Sequence, residues 1–378
     1  MRTKELEKEL FDACYNGRIE KVNVLLTKSQ INLNYQDTFL IGETPFWIAC
    51  EKGHIDIVKL LLSDQRVDVN KEDGYGQTPL GTACYSGHIE IVKLLLNDKR
   101  IEVNKTDEYR RTPFYIACEQ GHIEIIKLLL NDERVDINRP TDDGWSPFYI
   151  ACDKEHIEIV KLLLNDKRVD LNKADNDGST PFCIACEFGH IEVVKLLLND
   201  KRIEINQKEN RMEATPFLLA CQGGGIEIVK LLLNNKRVDV NQAMQGSMTP
   251  FYMTCYYGHI EIVKLLLNDQ RVDTNKADDA GTRPFWIVCQ EGDLQIIRYI
   301  LASGREGNLI EKDKDGKTAI DIAREGVTRE KRNWENEEDS QKRRENCIKI
   351  VELLESFEKS PNETRFKLRI QLGLLCNI

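Results

Sequence analysis

Nine short anchors recur along the chain at steps of 34 or 35 residues: Thr44-Pro45, Thr78-Pro79, Thr112-Pro113, Ser146-Pro147, Thr180-Pro181, Thr215-Pro216, Thr249-Pro250, Arg283-Pro284 and Thr318-Ala319. A sequence that repeats at this period folds as stacked copies of one supersecondary unit, which overrides the two or three separate domains that 378 residues would otherwise suggest. Residues 78–111, TPLGTACYSGHIEIVKLLLNDKRIEVNKTDEYRR, show what one row contains. Thr78 is suited to cap a helix N-terminus, and Pro79 to the first helical position, where a missing N–H costs nothing. Gly87 is placed to end that helix in the left-handed conformation, and a second helix follows through Ile89, Ile91, Val92, Leu94, Leu95 and Leu96. Only Glu90, Lys93 and Asn97 interrupt it, at spacings of three and four, so one narrow stripe meets water and the rest needs cover. One helix pair cannot supply that cover, whereas a neighbour on each side can. The polar link from Asn97 to Arg111 suits an extended, hairpin-like connector.

The pattern Thr-Pro-Phe-x-x-Ala-Cys-x-x-Gly-His-Ile-Glu-Ile-Val-Lys-Leu-Leu-Leu resembles the ankyrin repeat over roughly residues 5 to 323. The resemblance implies an all-α ankyrin-repeat solenoid of about ten repeats, each two antiparallel helices with a short β-hairpin or extended loop, stacked to about 100 Å. The row departs from the family pattern at the His of Thr-Pro-Leu-His, replaced here by Trp47, Gly81, Tyr115, Tyr149, Cys183, Leu218, Tyr252, Trp286 and Asp321. The aromatic members of this series are expected as half-buried packing that shapes the face beside them. The usual Gly-Ala after the second helix is also missing, and the Asn-Asp-Lys-Arg connection lengthens the unit to 34 residues.

Residues 1–36 read as an N-terminal capping repeat, with Cys14 and Gly17 in register but no Thr-Pro, and residues 37–317 as the central repeats. Residues 318–358 read as a degenerate last repeat: its second helix, Ile348 to Leu354, comes 19 residues late, behind a charged insertion at 327–346. A lengthened helix is favoured there over a loop. Residues 359–378 read as a helical tail, on the strength of Ser360-Pro361-Asn362-Glu363 as a capping box, with Gly373 as a stop. The alternation Arg365 to Leu372 reads instead as a strand, but a lone strand would have no sheet to join.

Catalytic chemistry finds little support. Cys14, Cys50, Cys84, Cys118, Cys152, Cys186, Cys221, Cys255 and Cys289 share one register, and stacked helices about 8–10 Å apart exceed the roughly 7 Å reach of a disulfide, so these thiols read as small core residues. Their spread along an axis also argues against a metal site. Cys347 and Cys376 lie outside the register and are expected as exposed thiols. The six histidines, at 54, 88, 122, 156, 190 and 259, sit in one Gly-His position, which Gly225 takes once, and read as helix-start residues with local hydrogen bonds. Gly223-Gly224-Gly225 lacks the Gly-Lys-Ser/Thr of a phosphate loop. The Glu and Lys pairs from Glu90 and Lys93 to Glu261 and Lys264 read as a solvated face. In the Arg ladder 66, 100, 134, 168, 202, 237 and 271, neighbouring acids neutralise an otherwise suggestive anion site. Lys342-Arg343-Arg344 is a weak nuclear signal among acids. No catalytic residue, cofactor or metal is expected.

The net charge of −10 argues against nucleic acid as main partner. The charged N-terminus lacks the apolar core of a secretory signal, and no apolar run of about 18 residues suits a membrane. A cytoplasmic location is expected, with the nucleus as an alternative, and the sequon matches at Asn104 and Asn362 then read as chance.

Variation among rows is uneven. The second helix barely changes, while the residue before each anchor and the pair after Ala-Cys change freely. In the family these registers, the hairpin tip and the exposed side of the first helix, line a concave surface that binds partners. Here they carry Tyr75, Tyr85, Tyr109, Arg110, Arg111, Trp145, Phe188, Arg211, Met212, Met248, Tyr256 and Tyr257. Aromatics, Met and Arg are the types enriched in binding interfaces. The expected function is a monomeric, non-catalytic scaffold or adaptor that binds one or more proteins through that surface. The alternatives are a substrate-recognition adaptor for a ubiquitin ligase or kinase docked through residues 327–378, and an enzyme with a catalytic C-terminal extension, for which fifty-odd charged residues are too few to bury a site.

Overall fold

A computed structural model describes residues 2–36, 41–333 and 335–374. They form two compact units, Met1–Asn176 and Asp177–Ile378. Among the described residues all regular structure is helical.

The first unit opens with helices Arg2–Tyr15 and Ile19–Leu26 and continues as the pairs Pro45–Glu51 with Ile55–Ser63, Pro79–Tyr85 with Ile89–Asn97, Pro113–Gln120 with Ile123–Leu130, and Pro147–Asp153 with Ile157–Asn165. The second holds Pro181–Phe188 with Ile191–Asn199, Pro216–Gln222 with Ile226–Leu233, Pro250–Tyr256 with Ile260–Asn268, and Pro284–Glu291 with Leu294–Ser303. It closes with Ala319–Thr328, Glu337–Lys359 and Pro361–Gln371. Within each unit the paired helices repeat in the stacked pattern of a solenoid.

Local chemistry sets the helix limits. Thr78 Oγ1 accepts from Gly81 N at 3.0 Å and Thr112 Oγ1 from Tyr115 N at 3.1 Å, each with proline at the next position. Arg283 replaces the Thr and makes no side-chain cap. Gly87 and Gly121 stand beyond the first helices with φ of 76° and 82°, where a Cβ would be strained. Helices of seven to nine residues do not persist alone in water, so packing must hold them. All six residues from Pro113 to Cys118 are buried, and the second helix Ile89–Asn97 buries Ile91, Val92 and Leu95, worth about 1.5–3 kcal/mol apiece. Ala117 and Cys118, both at 0 % exposure, are small enough for first helices to lie close. Burial pushes the Cys118 thiol up, and that of Cys221 up to about 12.

Three expectations need correction. Trp47, Tyr115, Tyr149, Tyr252 and Trp286 are fully buried rather than half-buried, and three of them reach the next finger: Trp47 Nε1 donates to the Gln77 carbonyl at 2.8 Å, the Tyr149 hydroxyl to Asp175 Oδ2 at 3.1 Å and the Tyr252 hydroxyl to Asp278 Oδ2 at 3.0 Å. Cys347 is buried, because helix Glu337–Lys359 lays it over Gly326, where a Cβ would stand 2.7 Å from its sulfur, and close to the Cys289 carbonyl. Cys376 lies outside the described residues. Ser360 forms no capping box: as the single residue between two helices it spends its N–H on Ser356 O, and its side chain caps nothing. Pro361–Gln371 is helical nonetheless, while the insertion divides into a non-helical stretch beyond Thr328 and a helix that begins at Glu337.

Candidate protein-binding surface

The connectors fold into fingers, and several of their turns are pinned by one buried side chain. Asp107, 7 % exposed, accepts from Tyr109 N at 3.0 Å and Arg111 N at 2.8 Å, while its own N–H donates to Arg111 O at 3.2 Å. Asp73 holds Tyr75 N and Gln77 N in the same way. Desolvation raises the Asp73 carboxyl above its ordinary value, against the lowering effect of those N–H donors. The finger before Thr215 is one residue longer, and its pin is a Glu: Glu209, 2 % exposed, reaches Arg211 N at 2.6 Å, Met212 N at 3.0 Å and Ala214 N at 2.8 Å. The longer side chain takes up the inserted residue.

At the turn itself glycine is usual, as at Gly76, Gly144 and Gly178, but Arg110, Glu213 and Ser247 hold the same left-handed φ of 58°, 56° and 60°. A non-glycine residue there costs about 1 kcal/mol, so these three turns retain strain in a register where glycine was available.

In the first unit the pinned fingers and first-helix ends expose Tyr75, Tyr85 and Tyr109 by 50 %, 51 % and 57 %, together with Arg110. Arg111 and Trp145 are half-buried. Arg111 is tied to Asp107 Oδ2 at 2.7 Å and Glu119 Oε2 at 3.1 Å, with its guanidinium 5.2 Å from the Tyr109 ring centre, and Trp145 stacks on Tyr149 at 5.7 Å. In the second unit Phe188, Met212, Tyr256 and Tyr257 are exposed by 62 %, 38 %, 45 % and 47 %, Arg211 is exposed and Met248 is half-buried. Tyr256 and Tyr257 meet edge to face at 5.1 Å, and Tyr257 and Phe188 lie over His259 and His190. Arg211 has acids at 3.7–4.0 Å on Glu209, Asp177 and Glu187.

The remaining ladders hold the frame beneath this surface. The Glu–Lys pairs, such as Glu124–Lys127 and Glu158–Lys161 at 2.6 Å, are exposed and worth at most a few tenths of a kcal/mol each. The histidine bonds are not local: His88 Nε2 meets Glu51 O at 2.8 Å and His122 Nε2 meets Tyr85 O at 3.0 Å, each reaching into the preceding repeat. Arg100, Arg134 and Arg168 bind the Asp two positions before them and also donate, at 2.8 Å, to the Leu62, Leu96 and Leu130 carbonyls that end the preceding second helix. Each of these three arginines is thus engaged twice within the chain. A further ladder escaped the sequence reading: Asn104 Nδ2 donates to Arg134 O at 2.7 Å while its Oδ1 accepts from Asp136 N at 2.8 Å, and Asn70 and Asn138 repeat the bridge. Its signal was available in the near-invariance of that asparagine from row to row.

Among the described residues no group of three His, Cys, Asp or Glu side chains is placed to hold a metal, and no helix is long and apolar enough to cross a membrane. A family model described as Ankyrin repeats (3 copies) matches residues 10–107, 114–209, 167–244, 205–278 and 251–328, and one described as Ankyrin repeats (many copies) matches residues 86–130. No curated protein matches the chain.

Proposed function

The chain belongs to the ankyrin-repeat family, and from that premise we propose that it binds a partner protein through its finger tips and exposed first-helix ends, as a scaffold or adaptor without chemistry of its own. Ankyrin repeats are protein-interaction modules. The observation that carries the reading is the placement of Tyr75, Tyr85, Tyr109, Phe188, Tyr256 and Tyr257, each about half exposed or more, on backbone pinned by buried side chains or on helix ends fixed by packing. Large aromatic area on a pre-ordered frame loses little entropy on binding, which suits a recognition surface. The buried cysteines, raised by desolvation, are poor nucleophiles, which supports the non-catalytic half of the reading. The cytoplasmic location expected above, a monomeric state and the absence of nucleic-acid partners remain part of this proposal.

A second reading, an adaptor whose C-terminal helix docks an enzyme such as a ubiquitin ligase or kinase, is favoured by one feature. Phe366 and Ile370, one turn apart on Pro361–Gln371, are 55 % and 51 % exposed. The test is affinity capture from native lysate with four full-length chains: unmodified, Tyr75/Tyr109/Tyr256/Tyr257→Ala, Phe366/Ile370→Ala, and Glu124/Lys127/Glu158/Lys161→Gln. Partners lost only from the tyrosine variant support the tip surface, and partners lost only from the helix variant support the adaptor. Loss confined to the Glu and Lys variant would sink both.

A further inference from the structure

One junction in the second unit is built like the others but lacks its filling. In five junctions a histidine closes a notch over the glycine of the preceding repeat: the ring Cε1 of His54, His88, His122, His156 and His259 lies 2.7–3.1 Å from where a Cβ on Gly17, Gly53, Gly87, Gly121 and Gly224 would stand. Each ring's Nε2 also lies 2.8–3.1 Å from the main-chain oxygen two residues before that glycine. Gly225 occupies the histidine position of the next row, and its counterpart Gly189 has nothing within 4 Å. The matching acceptor, the carbonyl of Glu187, faces the same gap, since a Cβ on Gly223 would stand 3.8 Å from it.

The gap is shaped for an imidazole. Gly225 keeps φ −75° and ψ 75°, against −78° and 75° at His259 and −78° and 76° at His156, and with nothing within 4 Å of a Cβ on Gly189 the chain has not closed over the missing ring. The six histidines in this register are only half-buried, which means the position opens to solvent. Phe188, 62 % exposed, is the residue between the Glu187 carbonyl and Gly189, so the gap adjoins the variable register at the end of the first helix.

We propose that the gap between Gly189 and Gly225 is an anchor notch for a histidine side chain of the partner, its ring N–H donating to the Glu187 carbonyl and its carbon edge lying over Gly189; this rests on the protein-binding reading above. The chain itself supplies the comparison, because the same seat is filled by imidazole five times elsewhere in it. A planar N–H donor of five ring atoms fits, and an aliphatic side chain of similar bulk would leave the carbonyl unpaired.

The probe is imidazole, titrated into the full chain while the amide resonances of Phe188, Gly189 and Gly225 are followed. A ligand this small is expected to saturate with a Kd of roughly 1–10 mM. Gly225→His fills the notch from within, on backbone that already accepts it, and should abolish the response. N-methylimidazole, which has the shape but no N–H when neutral, should bind about 10-fold more weakly. No saturable shift in the unmodified chain, or an unchanged one in Gly225→His, overturns the notch and leaves the tip surface untouched. Equal binding of the two probes overturns the Glu187 carbonyl as its anchor. A partner captured equally well by the unmodified chain and by Gly225→His overturns the histidine as the occupant, again without bearing on the tyrosine variants.

Discussion

The junction between the third and fourth repeats and the one that seats the last repeat answer the same needs by different means. In the first, His122 fills the notch at Gly87, Arg134 caps the Leu96 carbonyl and Asn104 bridges two fingers, all with residues that recur in other rows. In the second, the notch at Gly292 meets Arg343 and Cys347 from the long helix instead. Glu291 is paired with Arg332 at 2.5 Å, and Arg343 with Glu335 at 2.9 Å. The insertion of 19 residues thus substitutes a few strong, solitary contacts for many weak, repeated ones. The lesson is about redundancy: losing one rung of a ladder leaves its neighbours, whereas the last repeat hangs on ion pairs that have no copy.

That contrast can be broken most sharply at Arg343, which is 6 % exposed and also donates to the Gly326 and Glu330 carbonyls. Arg343→Ala strips Glu335 of its ion pair, leaving it the Arg332 N–H at 3.2 Å, and should cost about 3 kcal/mol, read as protease cleavage within 329–345 under conditions where the other repeats stay intact. The pair also has a pH signature. Its hydrogen bond with Arg343 holds the Glu335 carboxyl down at about 2. A depressed carboxyl contributes stability above its unfolded value and loses it as pH falls from about 4.5 toward 2, so protection of that segment should fade through this window. In Glu335→Gln the fading should be absent. Unchanged cleavage in Arg343→Ala would end the claim that this repeat depends on one pair.

At the regular junction Asn104→Ala removes two hydrogen bonds and should cost about 1–2 kcal/mol in denaturant unfolding, less than Arg343→Ala because the rungs on either side persist. Arg110→Gly should go the other way, gaining about 0.5–1 kcal/mol by relieving the left-handed φ. If it also weakens partner capture, the strained turn is retained for binding; equal capture would mark it as drift. Smallest of all, Tyr109→Ala and Tyr257→Ala should each move stability by no more than about 0.5 kcal/mol, since both rings are exposed. A larger loss would mean that the tips belong to the frame.

What the sequence showed and what it hid divide along the same line. Thr78, Pro79 and Gly87 act within one turn of where they stand, so the helix limits were legible from adjacent letters. The exposed tyrosines were legible too, because a row that varies at one register and not at the next points to positions without packing partners. His122, Arg134 and Asn104 act on atoms 30 to 38 residues away, and nothing in the spacing says which carbonyl each will meet. Cys347 was hidden for a related reason: its burial depends on a helix that begins ten residues before it, in a stretch with no repeating counterpart. Arg111 looked like a free contact residue, and only the fold shows Glu119 reaching it from the first helix that follows.

The rungs have a last consequence, for how such a chain can change its length. Because each one joins a residue to the matching surface of the next row, the two faces exposed by removing one central row are already complementary. Deleting residues 78–111 would bring the His122 ring to the notch at Gly53 and the Arg134 guanidinium to the Leu62 carbonyl, the seats that His88 and Arg100 occupy now. Duplication or excision of a 34-residue segment therefore needs no compensating substitutions at the seam. Excising the row before the terminal repeat, residues 284–317, would instead leave Arg332 without Glu291, so growth and loss of repeats come more easily in the interior of the array.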